Sequence, residues 1–407
     1  MKIPAFLFLS VVSTAPAASL TLGEALVRVE SGHPWFRTRT ATAALAAART
    51  DLAAAKPPPE ISLEVENALG TGELRAARSV ETTLQFSRAL DWAGRRAARV
   101  ETASALGQAA RLAWEEQRRA LLGEAARRFI RVAAAQAELA ASRQHADLVK
   151  QTLDDLRLRA GRAAAATADV ARARLALAEA GLAAEHAEHL LLSARQSLAS
   201  LWGAETPDFD EAEADFASLP VADTYESLAP RLSDSATQAR YAALARWRLA
   251  QEKLVRTAGA RGDPRWAAGL RRAEATDDFA LVFGLNYAWP ASRATGAQAA
   301  EARAEHDRTA AEGAAALLDA RALLFELCQE LNHARIEHDA ARDEMIPAAQ
   351  SWLQSIESAP AGRYGARELL EARTTLFAAR RRQTEAAAEY HLTLVAIEQT
   401  LGAPAQP

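Results

Sequence analysis

At 407 residues, with a formal net charge of -4 and 25% charged residues, the chain could hold two or three ordinary domains, yet its residues point elsewhere. Hydrophobic residues make up 50% but aromatics only 6%, and long tracts of Ala, Leu, Glu, Arg and Gln have the composition of long helices and coiled coils, so one elongated helical body is expected. Charge is spread through mixed-sign segments with no basic face interleaved with aromatics, which excludes the electrostatic footprint of a nucleic-acid binder.

Residues 1–18 read as a signal peptide: Lys2 precedes an apolar stretch from Ile3 to about Val12, and Ala15, Ala17 and Ala18 are small enough for a signal peptidase. After them no run of 18 or more apolar residues offers a helical anchor, so membrane attachment falls to short strands. Cys328 is the one cysteine, which leaves no disulfide and no lipid-bearing thiol near the cleavage region.

The remainder reads as two copies of one pattern: helix, strand pair, very long helix, glycine turn, return helix. The first repeat covers 19–215 with its strand pair at 59–92, the second covers 216–403 with its pair at 264–290, and 404–407 form a tail. Phe86 and Phe283, and Trp92 and Trp289, are related by one offset. The turns agree too: Ala160-Gly161-Arg162 precedes Asp169-Val170, as Ala361-Gly362-Arg363 precedes Glu368-Leu369.

Heptads run along the helices. Val170, Leu177, Ala184, Leu191 and Leu198 form one stripe and Ala173, Ala180, Ala187, Ala194 and Leu201 the other, a narrow seam whose alanines let a partner helix approach closely. Leu324, Leu331, Leu327 and Ala334 repeat this in the second half, with Ala387, Tyr390, Leu394 and Ile397 on the last helix. From about Gly94 to Ala160 there is no proline, enough for a helix roughly 100 Å long. Pro347 is expected to kink or break its counterpart.

The strands carry the sharper signal. From Phe279 to Trp289, Phe279, Leu281, Phe283, Leu285, Tyr287 and Trp289 point one way and Ala280, Val282, Gly284, Asn286 and Ala288 the other. One face is bulky and apolar, the length suits a tilted transmembrane strand, and the terminal aromatics suit an interface girdle. Ile61, Leu63 and Val65 alternate with Ser62, Glu64 and Glu66 in the first half. A soluble α+β protein could use such strands as well. If they cross a membrane, two strand pairs cannot close a water-filled barrel, and open edges in lipid cost several kcal/mol per unpaired group, so several chains must share one barrel.

The twofold pattern, the opening Leu20-Thr21-Leu22-Gly23-Glu24-Ala25-Leu26, the two glycine turns and the closing Leu370-Glu371-Ala372-Arg373-Thr374-Thr375-Leu376-Phe377 resemble TolC-type outer membrane factors over essentially the whole mature chain. Pro59-Glu60-Ile61-Ser62-Leu63-Glu64-Val65-Glu66-Asn67, Gly70-Thr71-Gly72 and Leu201-Trp202-Gly203 before Pro207-Asp208-Phe209 are similar to the CzcC-like subgroup that serves heavy-metal pumps of the RND type. The resemblance implies a mainly α fold with a small β part. A long coiled-coil helical barrel in the periplasm would continue into a trimeric twelve-stranded β-barrel in outer membrane lipid, four strands from each protomer. It implies a passive duct with no cofactor and no enzyme activity, working with a periplasmic membrane fusion (adaptor) protein and an inner membrane RND pump.

The same resemblance places Glu368 and Glu371 in an acidic ring at the periplasmic entrance, where threefold symmetry would favour cations. It places adaptor docking around Arg159, Gly161, Arg162, Gly362, Arg363 and Tyr364, and interface aromatics at Trp92, Trp266, Tyr287 and Trp289. The residues that latch the closed entrance in TolC align with Ala359 and Tyr364, so any latch is built differently. From the residues alone, Glu368 and Glu371 could equally be a solvated helix face paired with Arg367 or Arg373.

His186 with His189, and His333 with His338, invite a metal reading, but neither pair has a convincing third ligand. No nucleophile set, phosphate-cradling loop or zincin helix supports an enzyme. The alternatives left open are a duct for drug efflux or type I protein secretion and, in a different class, a soluble periplasmic coiled-coil scaffold.

Overall fold

The computed structural model describes residues 19–75, 77–91, 94–161, 166–259, 262–289, 292–360 and 363–402. The signal segment 1–18, Trp92, Arg162, Gly362 and the tail 404–407 lie outside the described residues. The chain divides into two compact units, each drawn from both halves of the sequence: Met1–Phe36 with Gln117–Ser235 and Ala320–Pro407, and Arg37–Glu116 with Ala236–Asp319.

The first unit is helical. It holds α1 (Leu22–Gly32), most of the long helix α3 (Arg95–Ala160), α4 (Thr167–Ala199), α5 (Tyr225–Leu228), the end of α7 (Ser292–Ala340), α8 (Ile346–Glu357) and α9 (Ala366–Leu401). A capping box opens α1: the Glu24 backbone N–H donates to Thr21 Oγ1 at 3.3 Å, and Glu24 Oε2 accepts from the Thr21 N–H at 2.9 Å. The two-residue strands β1 (Ser19–Leu20) and β4 (Glu211–Ala212) pair in parallel beside it. The heptad seam is realised, with Ala173, Ala180, Ala187, Leu191, Leu198 and Leu201 all buried. On the later helices Leu324, Leu327, Leu331, Ala387, Tyr390 and Ile397 are buried as the periodicity requires.

Pro347 does not break its helix. The backbone opens into a π turn at Ala341–Met345 and re-forms as α8 from Ile346, so Pro347 sits in a first turn, where its missing N–H is not needed.

The second unit holds α2 (Thr38–Ala54), the start of α3, α6 (Ala236–Gly259), the start of α7 and one four-stranded sheet. The strands are β2 (Glu60–Glu66), β3 (Glu81–Ala89), β5 (Asp263–Ala273) and β6 (Asp278–Ala288), in the order β2-β3-β5-β6 and antiparallel throughout. The two halves of the sequence join where β3 pairs with β5, Leu84 opposite Leu270. Among the described residues β2 and β6 each have one neighbour, so the sheet ends in two open edges. No described helix is long and apolar enough to cross a membrane.

Candidate functional site: a two-faced sheet and paired helix turns

Register sorts the sheet into two chemically opposite faces. Ile61 lies opposite Phe86, Phe86 opposite Ala268 and Ala268 opposite Phe283; in the next row Leu63, Leu84, Leu270 and Leu281 run across all four strands. Leu281, Phe283 and Leu285 are 73%, 77% and 74% exposed and Ile61 is 76% exposed, a contiguous apolar surface left open by the described residues. A soluble two-layer protein would bury such a face, whereas a bilayer supplies its apolar partner.

Aromatics gather at the end of this face away from the hairpin turns. The Tyr287 ring meets Trp289 edge-on at 5.1 Å, and the Gly262 N–H donates to the Tyr287 hydroxyl at 2.9 Å. Trp266 packs against Phe86 at 5.5 Å, and Trp289 is 84% exposed. At the opposite end of the same face Arg272 turns back to Glu274 and Asp277 at 3.3 and 3.1 Å, which keeps its charge with the turn and off the apolar band.

The other face is polar. Arg271 on β5 donates from Nε to Thr83 Oγ1 at 3.0 Å, from Nη1 to Glu81 at 2.8 Å and from Nη2 to Glu66 at 3.1 Å, tying three strands together. Arg265 bonds Glu60 and also reaches the Ser87 hydroxyl. A face with fixed ion pairs opposite an apolar face is the arrangement of a barrel wall with water on one side and lipid on the other.

In the helical unit the end of α3 and the start of α9 are brought together. Val149, Leu153 and Leu156 of α3, Ala173 and Ala180 of α4 and Leu370 of α9 form one buried cluster. Gly161 ends α3, its N–H donating to the Arg157 carbonyl at 3.0 Å. Arg159, Arg363 and Tyr364 are exposed, with the Arg363 guanidinium 6.0 Å from the Tyr364 ring centre.

Glu368 is half-buried and caps its own helix: its Oε2 accepts from the Gly365 N–H at 2.9 Å. Glycine at the cap has no side chain to return the bond, so the sequence lacks the usual cap signature and this role was not foreseen. Glu371 is exposed. Among the described residues neither carboxylate has an ion-pair partner, and Arg373 is engaged elsewhere. Its Nη1 donates to the Leu148 carbonyl and to Thr152 Oγ1, both at 2.6 Å, and its Nη2 to Glu357 at 3.1 Å.

The histidine pairs part company. His333 is exposed beside Glu337, whereas His338 is fully buried with Nε2 3.3 Å from the Phe216 carbonyl, and His189 lies 3.7 Å from Glu185 at the surface. Among the described residues no three His, Cys, Asp or Glu side chains converge as a metal-binding group.

The fingerprint around Trp202 also has a structural meaning. Gly203 takes a left-handed φ of 80° to end the helix, and Arg28 of α1 lies over the Trp202 ring at 5.7 Å while pairing with Asp208 at 2.9 Å. Gly32 lets the Trp202 backbone come within the space a side chain would fill.

No protein-family model matches the chain. Among curated proteins it is similar to the cobalt-zinc-cadmium resistance protein CzcC of Cupriavidus metallidurans, at 25% identity over 352 residues, covering 85% of this chain and 81% of the relative. Among solved structures it resembles the outer membrane protein VceC of Vibrio cholerae, with a TM-score of 0.76 at 15% identity over 94% of this chain and 96% of the other. It also resembles the transmembrane channel CusC, with a TM-score of 0.77 at 16% identity over 94% and 92%. The fold is therefore that of the TolC-type outer membrane channels, mainly α with a small β part, as the resemblance in sequence implies.

Proposed function

We infer that the chain is a TolC-type outer membrane factor, the exit duct of a tripartite RND-type efflux system, and that its cargo is heavy-metal cations passing from periplasm to exterior. The observation that carries this is the sheet: one apolar exposed face, one ion-paired polar face and two open edges, on a chain whose relatives are outer membrane channels and a metal-resistance protein. Open edges in lipid leave backbone groups unpaired, so three chains close one twelve-stranded barrel, edge to edge. The polar face then lines the bore, and Trp266, Tyr287 and Trp289 sit at the lipid interface.

The duct does no chemistry of its own. An RND pump supplies the energy, and an adaptor reads the helix turns around Arg159, Gly161, Arg363 and Tyr364, together with Arg162 and Gly362. Glu368 and Glu371 form the cation-favouring entrance, a reading supported by the lack of an ion-pair partner for either carboxylate among the described residues, Glu368 accepting only from the Gly365 N–H. The two halves, 19–215 and 216–403, are a duplicated unit behind a cleaved segment at 1–18.

Deletion of the gene in its host tests the cargo. Loss of resistance to cobalt, zinc or cadmium, restored by the wild-type gene, is expected, with dye and drug tolerance unchanged. Unchanged metal tolerance with lost drug tolerance would make it a drug duct, and a soluble product that needs no detergent would end the membrane reading altogether.

A further inference from the structure

The arginines of the four-stranded sheet have carboxylate partners with one exception. Arg265 bonds Glu60, Arg271 holds Glu66 and Glu81, and Arg272 turns to Glu274 and Asp277. Arg88 on β3 is the other arginine in these strands, and among the described residues its guanidinium has no partner.

Register puts Arg88 on the apolar side. Along β3 it follows Leu84 and Phe86 at intervals of two and precedes Leu90, all three exposed. Across the ladder it lies opposite Trp266, which in turn lies opposite the exposed Leu285. The Leu90 N–H donates to the Pro264 carbonyl at 2.9 Å, so the pairing runs on past Arg88 and holds this stretch in place. Tyr287 stands one row further out, opposite Pro264, with its ring against Trp289. Arg88 therefore sits where the apolar face meets its aromatic belt, at the end of the sheet from which α3 departs.

A guanidinium in that place is costly unless something answers its charge. Arg272, at the far end of the same face, is answered by two carboxylates of its own chain, whereas Arg88 is given none. Its long aliphatic stem can lie along the apolar wall while the planar head reaches the polar margin, where it matches two phosphate oxygens at once. The exposed side chains of Phe86, Leu90, Trp266 and Leu285 around it offer footing for a hydrocarbon chain. A phosphate head and an acyl tail in one molecule is a phospholipid.

We propose that Arg88, Trp266 and their apolar neighbours form a binding site for an anionic phospholipid, one per chain. The phosphate would rest on the Arg88 guanidinium and an acyl chain along Phe86 and Trp266. This rests on the membrane-duct reading and names a lipid class that reading leaves open. A zwitterionic lipid carries its own cation beside the phosphate and gains less from Arg88, and inorganic phosphate lacks the chain. In the proposed barrel three such contacts would ring the rim nearer the helices and fix its depth in the bilayer.

Trp266 makes the occupant visible. Full-length protein in detergent is titrated with phospholipids carrying brominated acyl chains, which quench nearby indoles, and subtraction of Trp266→Phe isolates the signal. Brominated phosphatidylglycerol is expected to quench at about fivefold lower mole fraction than brominated phosphatidylcholine, the preference one basic residue gives near a membrane surface. Arg88→Gln should erase that preference while both lipids still quench, and Arg88→Lys should keep part of it. Equal quenching by the two lipids in the wild type, a comparison that stands even if Arg88→Gln fails to assemble, would overturn the assignment. So would an unchanged preference in Arg88→Gln. Loss of the preference on adding inorganic phosphate at constant ionic strength would also overturn it, because the site would then take a free anion. Absence of quenching by either lipid would overturn the lipid-facing sheet and this site with it, so failure of the site alone and failure of the duct give different results.

Discussion

Arg373 on α9 reaches Glu357 on α8 at 3.1 Å while its other terminal nitrogen is held by the Leu148 carbonyl of α3, so one guanidinium fastens the α8–α9 pair to the long helix. Its side chain is only 14% exposed and Thr152 Oγ1 is a further acceptor at 2.6 Å. Arg373→Ala strands those acceptors, and a lost charged hydrogen bond is worth about 1–3 kcal/mol. The loss should appear as faster amide exchange in 145–152 and 357–373, with the sheet unaffected. Arg373→Lys should recover only part of it, since an ammonium cannot fork between helices. Unchanged exchange in both segments would mean that Arg373 fastens nothing.

Acid should weaken the helical unit through two histidines. His145 stacks on Phe377 at 4.5 Å with Nδ1 buried and without a partner among the described residues; burial first, and then the nearby Arg373, push its pKa below the ordinary value of 6.5. Burial does the same to His391. In the unfolded chain both take a proton near pH 6.5, but in the folded chain only at lower pH, so the unfolded state binds more protons as pH falls through that window. Stability should be flat above pH 7 and decline below about 6.5, by at most about 1.4 kcal/mol per pH unit for each histidine. His145→Gln should flatten the decline in thermal melts between pH 7.5 and 5, and an identical slope would remove His145 from the effect.

Gly32 is where the Trp202 fingerprint is physically enforced. A Cβ there would lie 2.7 Å from the Trp202 carbonyl oxygen and 2.8 Å from its Cβ, so Gly32→Ala must push α1 away from that turn at a cost of about 1–3 kcal/mol. Gly23, on the same helix, has nothing within 4 Å, and Gly23→Ala should stabilise by up to about 1 kcal/mol. Urea midpoints that move the same way in both variants would contradict the close approach.

Period and spacing made the architecture legible, because they survive in one dimension. The seam through Ala173, Ala180 and Ala187 and the alternation from Phe279 to Trp289 are local patterns, and both appear at the expected positions. The pairing of β3 with β5 was not legible, since alternation gives a face but no neighbour, and with it the Arg271 network stayed hidden. The residues alone offer Arg373 beside Arg367 as a helical partner for Glu368 and Glu371, while in the fold it takes Glu357 of α8 and a carbonyl and a hydroxyl on a helix over 200 positions away. The π turn ahead of Pro347 likewise has no one-dimensional mark, because a proline can be absorbed by either a break or a bulge.

The two faces of β6 give the most direct test of the sheet. Leu281 and Val282 are neighbours in sequence and point to opposite sides, Leu281 in the row with Leu63, Leu84 and Leu270, Val282 opposite Gly269 on the polar side. A charge in lipid near the midplane costs about 2–4 kcal/mol, and the proposed three-chain barrel would pay it three times. Leu281→Arg should therefore deplete the heat-modifiable trimer from outer membrane fractions. Val282→Lys, which the proposed barrel turns toward water in the bore, should assemble normally and shift the reversal potential of single channels toward anion passage. If the two variants assemble equally well, or if Val282→Lys is the one that fails, then the face assigned to lipid is the wrong one and the barrel closes with the opposite curvature.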